Sequence, residues 1–275
     1  MPKESFEQFF KRQEKKLDKA EKMVEEVEKE LKIKEFEMVG KSVKKLKKLW
    51  EENEARFKEM SYIRIFSFYQ HSLPLLRTSP FLLGRTSNKF LKEFDWKKFE
   101  GRRFLDTDLG LFISAFLKKN IEHYIWFQKS RGFEEGQIKP IEVHLKVKEL
   151  PVILSYLGYK NPKKLHLIIK GNCGNRTGWK MQGGKIIVEG NCGRGVGFEM
   201  RGGRIIVERN CEEVTGHAMK GGELNIKGEV KSFDKSAFSP NNKGTIIWKN
   251  TKIWENGDWT KEGKEMWEKG EIPVI

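Results

Sequence analysis

Three cysteines, Cys173, Cys192 and Cys211, recur at intervals of 19 residues. Thiolates are soft metal ligands, but structural thiolate sites pair two cysteines within a few residues. Here each cysteine stands alone in its stretch, so the column reads as a small buried residue stacked on itself. Asp106-Thr107-Asp108 has the DxD spacing that holds a divalent cation beside a nucleotide. It directly precedes an apolar helical run, where Asp106 or Thr107 serves as an N-cap. GRTSNK at 84–89 brings hydroxyls and two cations together, without the Gly-x4-Gly-Lys spacing that cradles phosphate. His144 and His166 are expected to stack on the outside of successive strands. Lys185 and Arg204 follow in that column and would repel a cation. No Ser-His-Asp or Cys-His set can be assembled, and no catalytic, cofactor-binding or metal-binding residue is expected. These residues leave open whether the chain is an enzyme, a non-catalytic role being the favoured reading, and no cofactor is expected.

The elements that position these residues are repeats. Residues 166–222 divide into HLIIKGNCGNRTGWKMQGG, KIIVEGNCGRGVGFEMRGG and RIIVERNCEEVTGHAMKGG. Cysteine, methionine (Met181, Met200, Met219) and closing Gly-Gly each fall in one column. Self-similarity at a fixed period marks a solenoid, whose coils bury apolar faces only against their neighbours. Ile-Ile-Val followed by Gly and Asn favours strand and turn. The expected inward columns are Leu167/Ile186/Ile205/Leu224 and Ile169/Val188/Val207/Ile226, because side chains alternate across a strand. Trp179, Phe198 and the methionines are expected to fill the opposite wall. ELNIKG and TIIWKN (245–250) read as further coils.

The pattern G-N-C-G-x-x-x-G, followed by an apolar residue, Met and Gly-Gly, resembles the Gly-rich β-helix at the C-terminus of the large subunit of glutamate synthase. The β-helical subunit of formylmethanofuran dehydrogenase is of the same domain type. Gly171, Gly174 and Gly178, then Gly190, Gly193 and Gly197, carry the likeness, and Gly216 alone does so in the third repeat. It covers about residues 165–250. It implies a right-handed parallel β-helix with a structural rather than catalytic role beside catalytic subunits. No amidotransferase, flavin or molybdopterin segment accompanies it.

Two surfaces follow from the coil register. Lys185, Arg204, Arg201 and Lys220 line the edge beside the Gly-Gly turns, with Arg176 and Arg194 on another corner. Cations stacked one strand apart repel unless an anion neutralises them, so these six are the candidate polyanion-binding residues. Ile168, Ile187, Ile206 and Ile247 point outward in a column interrupted by Asn225. An apolar stripe of that length marks a docking face. A helix at 109–128 and the seam of 4–60 are the in-chain segments expected to cover it.

Before the coils, residues 1–60 read as a coiled-coil or hairpin segment. Phe6, Phe10, Gln13, Leu17, Ala20, Val24, Val27 and Leu31 keep a 4-3 spacing, which Val39, Val43, Leu46, Trp50, Asn53, Phe57 and Met60 resume after a break near Gly40. Residues 61–140 form a small α-helical domain around LGLFISAFLKKNIEHYIWFQ. The solenoid spans 141–250, with a short helix inserted at 149–157. Residues 251–275, with three tryptophans, cap its open end. The fold class is therefore α+β: an N-terminal helical region followed by a parallel right-handed β-solenoid of about 19-residue coils. The net charge of +15 and the 34% charged residues permit a polyanion partner and suit a heat-adapted source. No signal segment or membrane-spanning run is evident, so a cytoplasmic protein is expected. The expected role is a non-catalytic scaffold or protein-interaction subunit, through self-association or a protein partner and without membrane contact. The alternatives are a nucleic-acid-binding accessory protein using the basic edge, and a structural subunit of a complex of the kind the resemblance implies.

Overall fold

The computed structural model describes residues 6–55, 60–73, 75 and 80–275, with the side chains of 6–21 left undescribed. Phe6, Phe10, Gln13, Leu17, Ala20 and Phe57 of the helical spacing therefore lie outside the described side chains. Helix α1 (Phe6–Asn53) runs unbroken through Gly40, so the hairpin is not formed. A lone glycine costs a helix only about 1 kcal/mol, and a Cβ at Gly40 would meet no neighbour within 4 Å. Nothing there forces a turn. Val39, Val43, Leu46 and Trp50 of α1 are buried. They meet α2 (Tyr62–Ser72), α3 (Leu83–Lys92) and α4 (Leu105–Ser130) in one hydrophobic core that continues into the coils.

Six parallel strands follow: β1 (Ile141–Lys146), β2 (Leu165–Lys170), β3 (Lys185–Val188), β4 (Arg204–Val207), β5 (Glu223–Ile226) and β6 (Thr245–Trp248). Pairing is in the register of the repeats, with Ile186 on Leu167 and Ile205 on Ile186. The two inward columns are fully buried. Cys173, Cys192 and Cys211 stack through successive parallel bridges. Asparagines tie the coils at a neighbouring corner, the amide N–H groups of Asn191 and Asn210 donating to the Oδ1 of Asn172 and Asn191.

Three local expectations are corrected. Residues 149–157 are not helical but belong to an additional coil. Its Tyr156, Gly158 and Lys160 have positive φ like Arg176, Gly178 and Lys180 one coil on. His144 does not share a column with His166: β1 pairs Glu142 with His166 and His144 with Ile168. Trp179 and Phe198 do not line the interior. Thr177, Val196 and Thr215 do, while Trp179 is buried among Tyr156, Tyr159 and Phe198, and half-buried Phe198 stacks on His217. The alternating left-handed residues of this turn break the two-residue period on which the expectation rested. Gly178 and Gly197 (φ +71° and +69°) lie over the core isoleucine and leucine columns, where no Cβ fits easily at that φ.

The helical region closes the solenoid's first end. Asn88 of α3 donates to His144 O and accepts from Lys146 N, completing the free edge of β1. Ser114 of α4 donates to Tyr156 O and accepts from Gly158 N. At the other end β7 (Thr251–Glu255) pairs antiparallel with β6, and β8 (Asp258–Trp259) follows. Helix α5 (Lys261–Glu268) packs on β7. Reversing strand direction ends the parallel stacking, and Trp259 stacks on Phe238 and Trp267 over that end.

Candidate functional site

Among the described residues no group of three or more His, Cys, Asp or Glu converges as a metal site. The cysteines are free and buried. Burial, then the adjoining thiols of Cys173 and Cys211, push the Cys192 thiol well up, which favours the unreactive form. GRTSNK falls within α3, and its Thr86 and Ser87 are buried. Asp106 and Thr107 are not caps, because the N-cap is Phe104 in the left-handed region. Asp106 instead accepts from Ser155 Oγ at 2.6 Å, fastening α4 to the first coil. Asp108 accepts from Arg102 at 2.9 Å, and Arg102 also bonds Glu54.

The basic residues separate into two places. Lys185 and Arg204 are adjacent on β3 and β4, and Arg204 pairs with Glu223 of β5 at 2.9 Å. One cation of this ladder is thus neutralised within the chain. Arg201 and Lys220 are exposed beside the Gly-Gly turns. Arg176 lies on the other corner, its guanidinium 5.8 Å from the ring centre of Tyr156, 5.0 Å from Trp179 and 4.8 Å from Phe198. Arg176 and exposed Arg194 line an open cleft of about 520 Å³ with Tyr62, Phe104, Tyr156 and Phe198, floored by Asp106 and Thr107 of α4.

A row of packed rings that the sequence reading does not pick out runs beside this cleft, with Phe66, Tyr159 and Trp179 buried and Phe198 and His217 half-buried. Phe66 of α2 meets Tyr159 at 4.6 Å, Tyr159 meets Trp179 at 4.9 Å, and Phe198 stacks on His217 at 4.2 Å. Its signal was present in the residues following Gly158, Gly178, Gly197 and Gly216, namely Tyr, Trp, Phe and His. Lys160 lies over the Phe66 and Tyr159 rings, and Lys180 over Trp179. Burial, and then the charges of Lys118, Lys180 and Arg201, lower the Lys160 ammonium against an opposing effect of Glu122. At the row's end His217 Nδ1 lies 2.9 Å from Asp234 Oδ2, close enough for an ion pair but poorly aligned for a hydrogen bond. Only the half-buried end of the row, Phe198 and His217 beside Arg176, is open for an aromatic group to stack on or an anion to approach.

Ile168, Ile187, Ile206 and Ile247 are half-buried on the outer face of β2, β3, β4 and β6. The covering expected from α1 and α4 is not what forms, because the helices dock on the solenoid's end. The reason is the open edge of β1, whose backbone groups require partners that an isoleucine face does not. No family model, curated protein or solved structure matches this chain. No described helix is long and apolar enough to cross a membrane.

Proposed function

We propose that the chain is a non-catalytic scaffold or protein-interaction subunit. The observation that carries this reading is the stripe of α1. Val39, Val43, Leu46 and Trp50 anchor it in the core, while Val24, Val27 and Leu31, earlier on the same helix, are 57%, 55% and 55% exposed. Met23 and Phe36 beside them are also exposed. A helix that carries an apolar seam beyond its own core offers that seam to another helix. Burial of each such side chain is worth roughly 1.5–3 kcal/mol. The test immobilises the whole chain as bait against a lysate of its source cells. Val24→Glu, Val27→Lys and Leu31→Glu together should remove a specific partner while the melting temperature stays put. Equal recovery by both baits, or none by either, refutes the role of the seam. A catalytic protein of the kind the Gly-rich resemblance implies would be recovered in the same experiment.

A second reading, a nucleic-acid-binding accessory protein, is favoured by one observation, the placement of Arg176 among three rings beside Arg194. Single-stranded oligonucleotide binding there would fall steeply with salt and be nearly blind to sequence. Arg176→Glu with Arg194→Glu should abolish it, whereas exchanging Lys185, Arg201, Arg204 and Lys220 should only weaken it. Absence of binding at low salt removes this reading.

A further inference from the structure

The outer face of β1–β6 carries a charge pattern that its own chain satisfies only in part: Arg204 pairs with Glu223 and Glu208 with Lys227, while Lys185 and Glu189 are left over. Lys185 sits directly beside Arg204 across the strands. Four residues along, at the other end of the same strands, Glu189 follows β3 and Glu208 follows β4. The backbone N–H groups of Glu189 and Glu208 donate to Ile169 O and Val188 O in the same ladder pattern, so these two acids are also neighbours. Like charges on adjacent strands destabilise a sheet. Lys185 and Glu189 have no ion-pair partner among the described residues. Between the two charged columns runs the isoleucine column, and in it Asn225 Oδ1 is buried without a hydrogen-bond donor.

Reading across the coils instead of along the stack, four of the six have ends of opposite sign: Glu142 and Lys146, Lys185 and Glu189, Arg204 and Glu208, Glu223 and Lys227, whereas β2 has His166 and Lys170 and β6 has Thr245 and Lys249. We propose that this face pairs with a second copy of the same chain about a two-fold axis parallel to the solenoid axis. Such an axis preserves height along the stack and reverses strand direction. Each coil then meets its own mate, so Lys185 faces the mate's Glu189 and Arg204 the mate's Glu208. Ile187 and Ile206 meet their own counterparts. Asn225 meets its counterpart too. An interface of this kind is isologous, the same patch meeting itself. The like-charge repulsion within the stack is offset by the mate's opposite column. The alternative two-fold axis, along the strands, inverts the stack and cannot set Asn225 on itself while keeping Lys185 over Glu189.

This inference rests on the interaction-scaffold reading and names the partner for the sheet face. The face measures about 24 Å along the stack and about 17 Å along the strands, from spacings of about 4.8 and 3.3 Å. That is smaller than the roughly 800 Å² per partner of a standard interface, so the dimer is of a kind that dissociates on dilution.

The test uses the full chain. Sedimentation across a concentration series should show a monomer–dimer equilibrium, and Ile187→Asp with Ile206→Asp should weaken it at least tenfold. Geometry is read by a bismaleimide with an arm of about 10 Å, the spacing of packed sheets. The three native cysteines are buried, so the unsubstituted protein is the blank. Asn225→Cys should cross-link to itself. Lys185→Cys should not cross-link to itself, but should cross-link when mixed with Glu189→Cys. A chain that stays monomeric at high concentration overturns the proposal, as does an Asn225→Cys protein that sediments as a dimer without cross-linking. A dimer unchanged by the isoleucine substitutions also overturns it, yet leaves the scaffold reading standing through α1. Because the cysteine variants keep the isoleucines, they decide the matter even if the aspartate variant fails to fold.

Discussion

Asp108 shows how a single buried group can govern acid behaviour without any catalytic role. Burial raises its carboxyl to about 6, against the lowering effect of the Arg102 charge and hydrogen bond, with Asp106 adding to the rise. The unfolded value is about 3.9. Between these two the folded state holds the proton more tightly, so the contribution of Asp108 is greatest below pH 4 and is lost as pH rises through 6. The loss is on the order of 3 kcal/mol for a shift of about two units. Urea unfolding of the wild type and Asp108→Asn should therefore converge or cross between pH 4 and 7, the wild type losing ground as pH rises. Parallel stability curves over that range would refute the assignment. At the opposite pole, Asp234 is lowered although burial opposes it, because His217 and the Ser236 hydroxyl and amide together outweigh burial. Its contribution is present above the ordinary carboxylate range and is lost only in stronger acid.

At the scale of elements, the decisive contacts lie between α3, α4 and the first coil. Asn88 supplies one donor and one acceptor to the edge of β1, doing with a side chain what a further strand would do with backbone. Asn88→Ala leaves two backbone groups short of partners and should cost about 1–3 kcal/mol in chemical denaturation. Asn88→Asp keeps the acceptor for Lys146 N and loses the donor to His144 O. It should fall between wild type and alanine, and an order other than this would argue against edge completion. Gly110 of α4 explains how closely the helix can approach, because a Cβ there would run into the Ser155 carbonyl.

For the molecule as a whole, the hydrophobic core is continuous from Val39 of α1 to Ile272 near the end of the chain. Both ends of the stack are closed by non-repeating elements, so a coil cannot easily open alone. The cysteine column reports on this cooperativity. Cys173, Cys192 and Cys211 should react with a thiol reagent together and only at the rate of global unfolding. Stepwise labelling under native conditions, with one cysteine reacting well before the others, would show that the coils open independently.

The sequence alone determined the stack, its register and its inward columns. Repetition makes every coil solve the same packing problem, so Ile186, Ile205 and Leu224 could be assigned to one ladder without any partner being known. It also singled out the outward isoleucines and the cations at the corners. Tertiary structure decided what the repeat could not encode. Trp179 packs among other rings and Phe198 stays half-exposed because left-handed residues interrupt the pleat. The coil at 155–161 was hidden because its glycine recurs after 20 residues and its flanks diverge from the repeat. The straight path of α1 through Gly40 and the placing of the helices on the edge of β1, instead of on the isoleucine face, follow from competition between surfaces distant in sequence. Unpaired backbone at a strand edge demands polar partners, and only the folded chain shows that Asn88 and Ser114 are there to provide them.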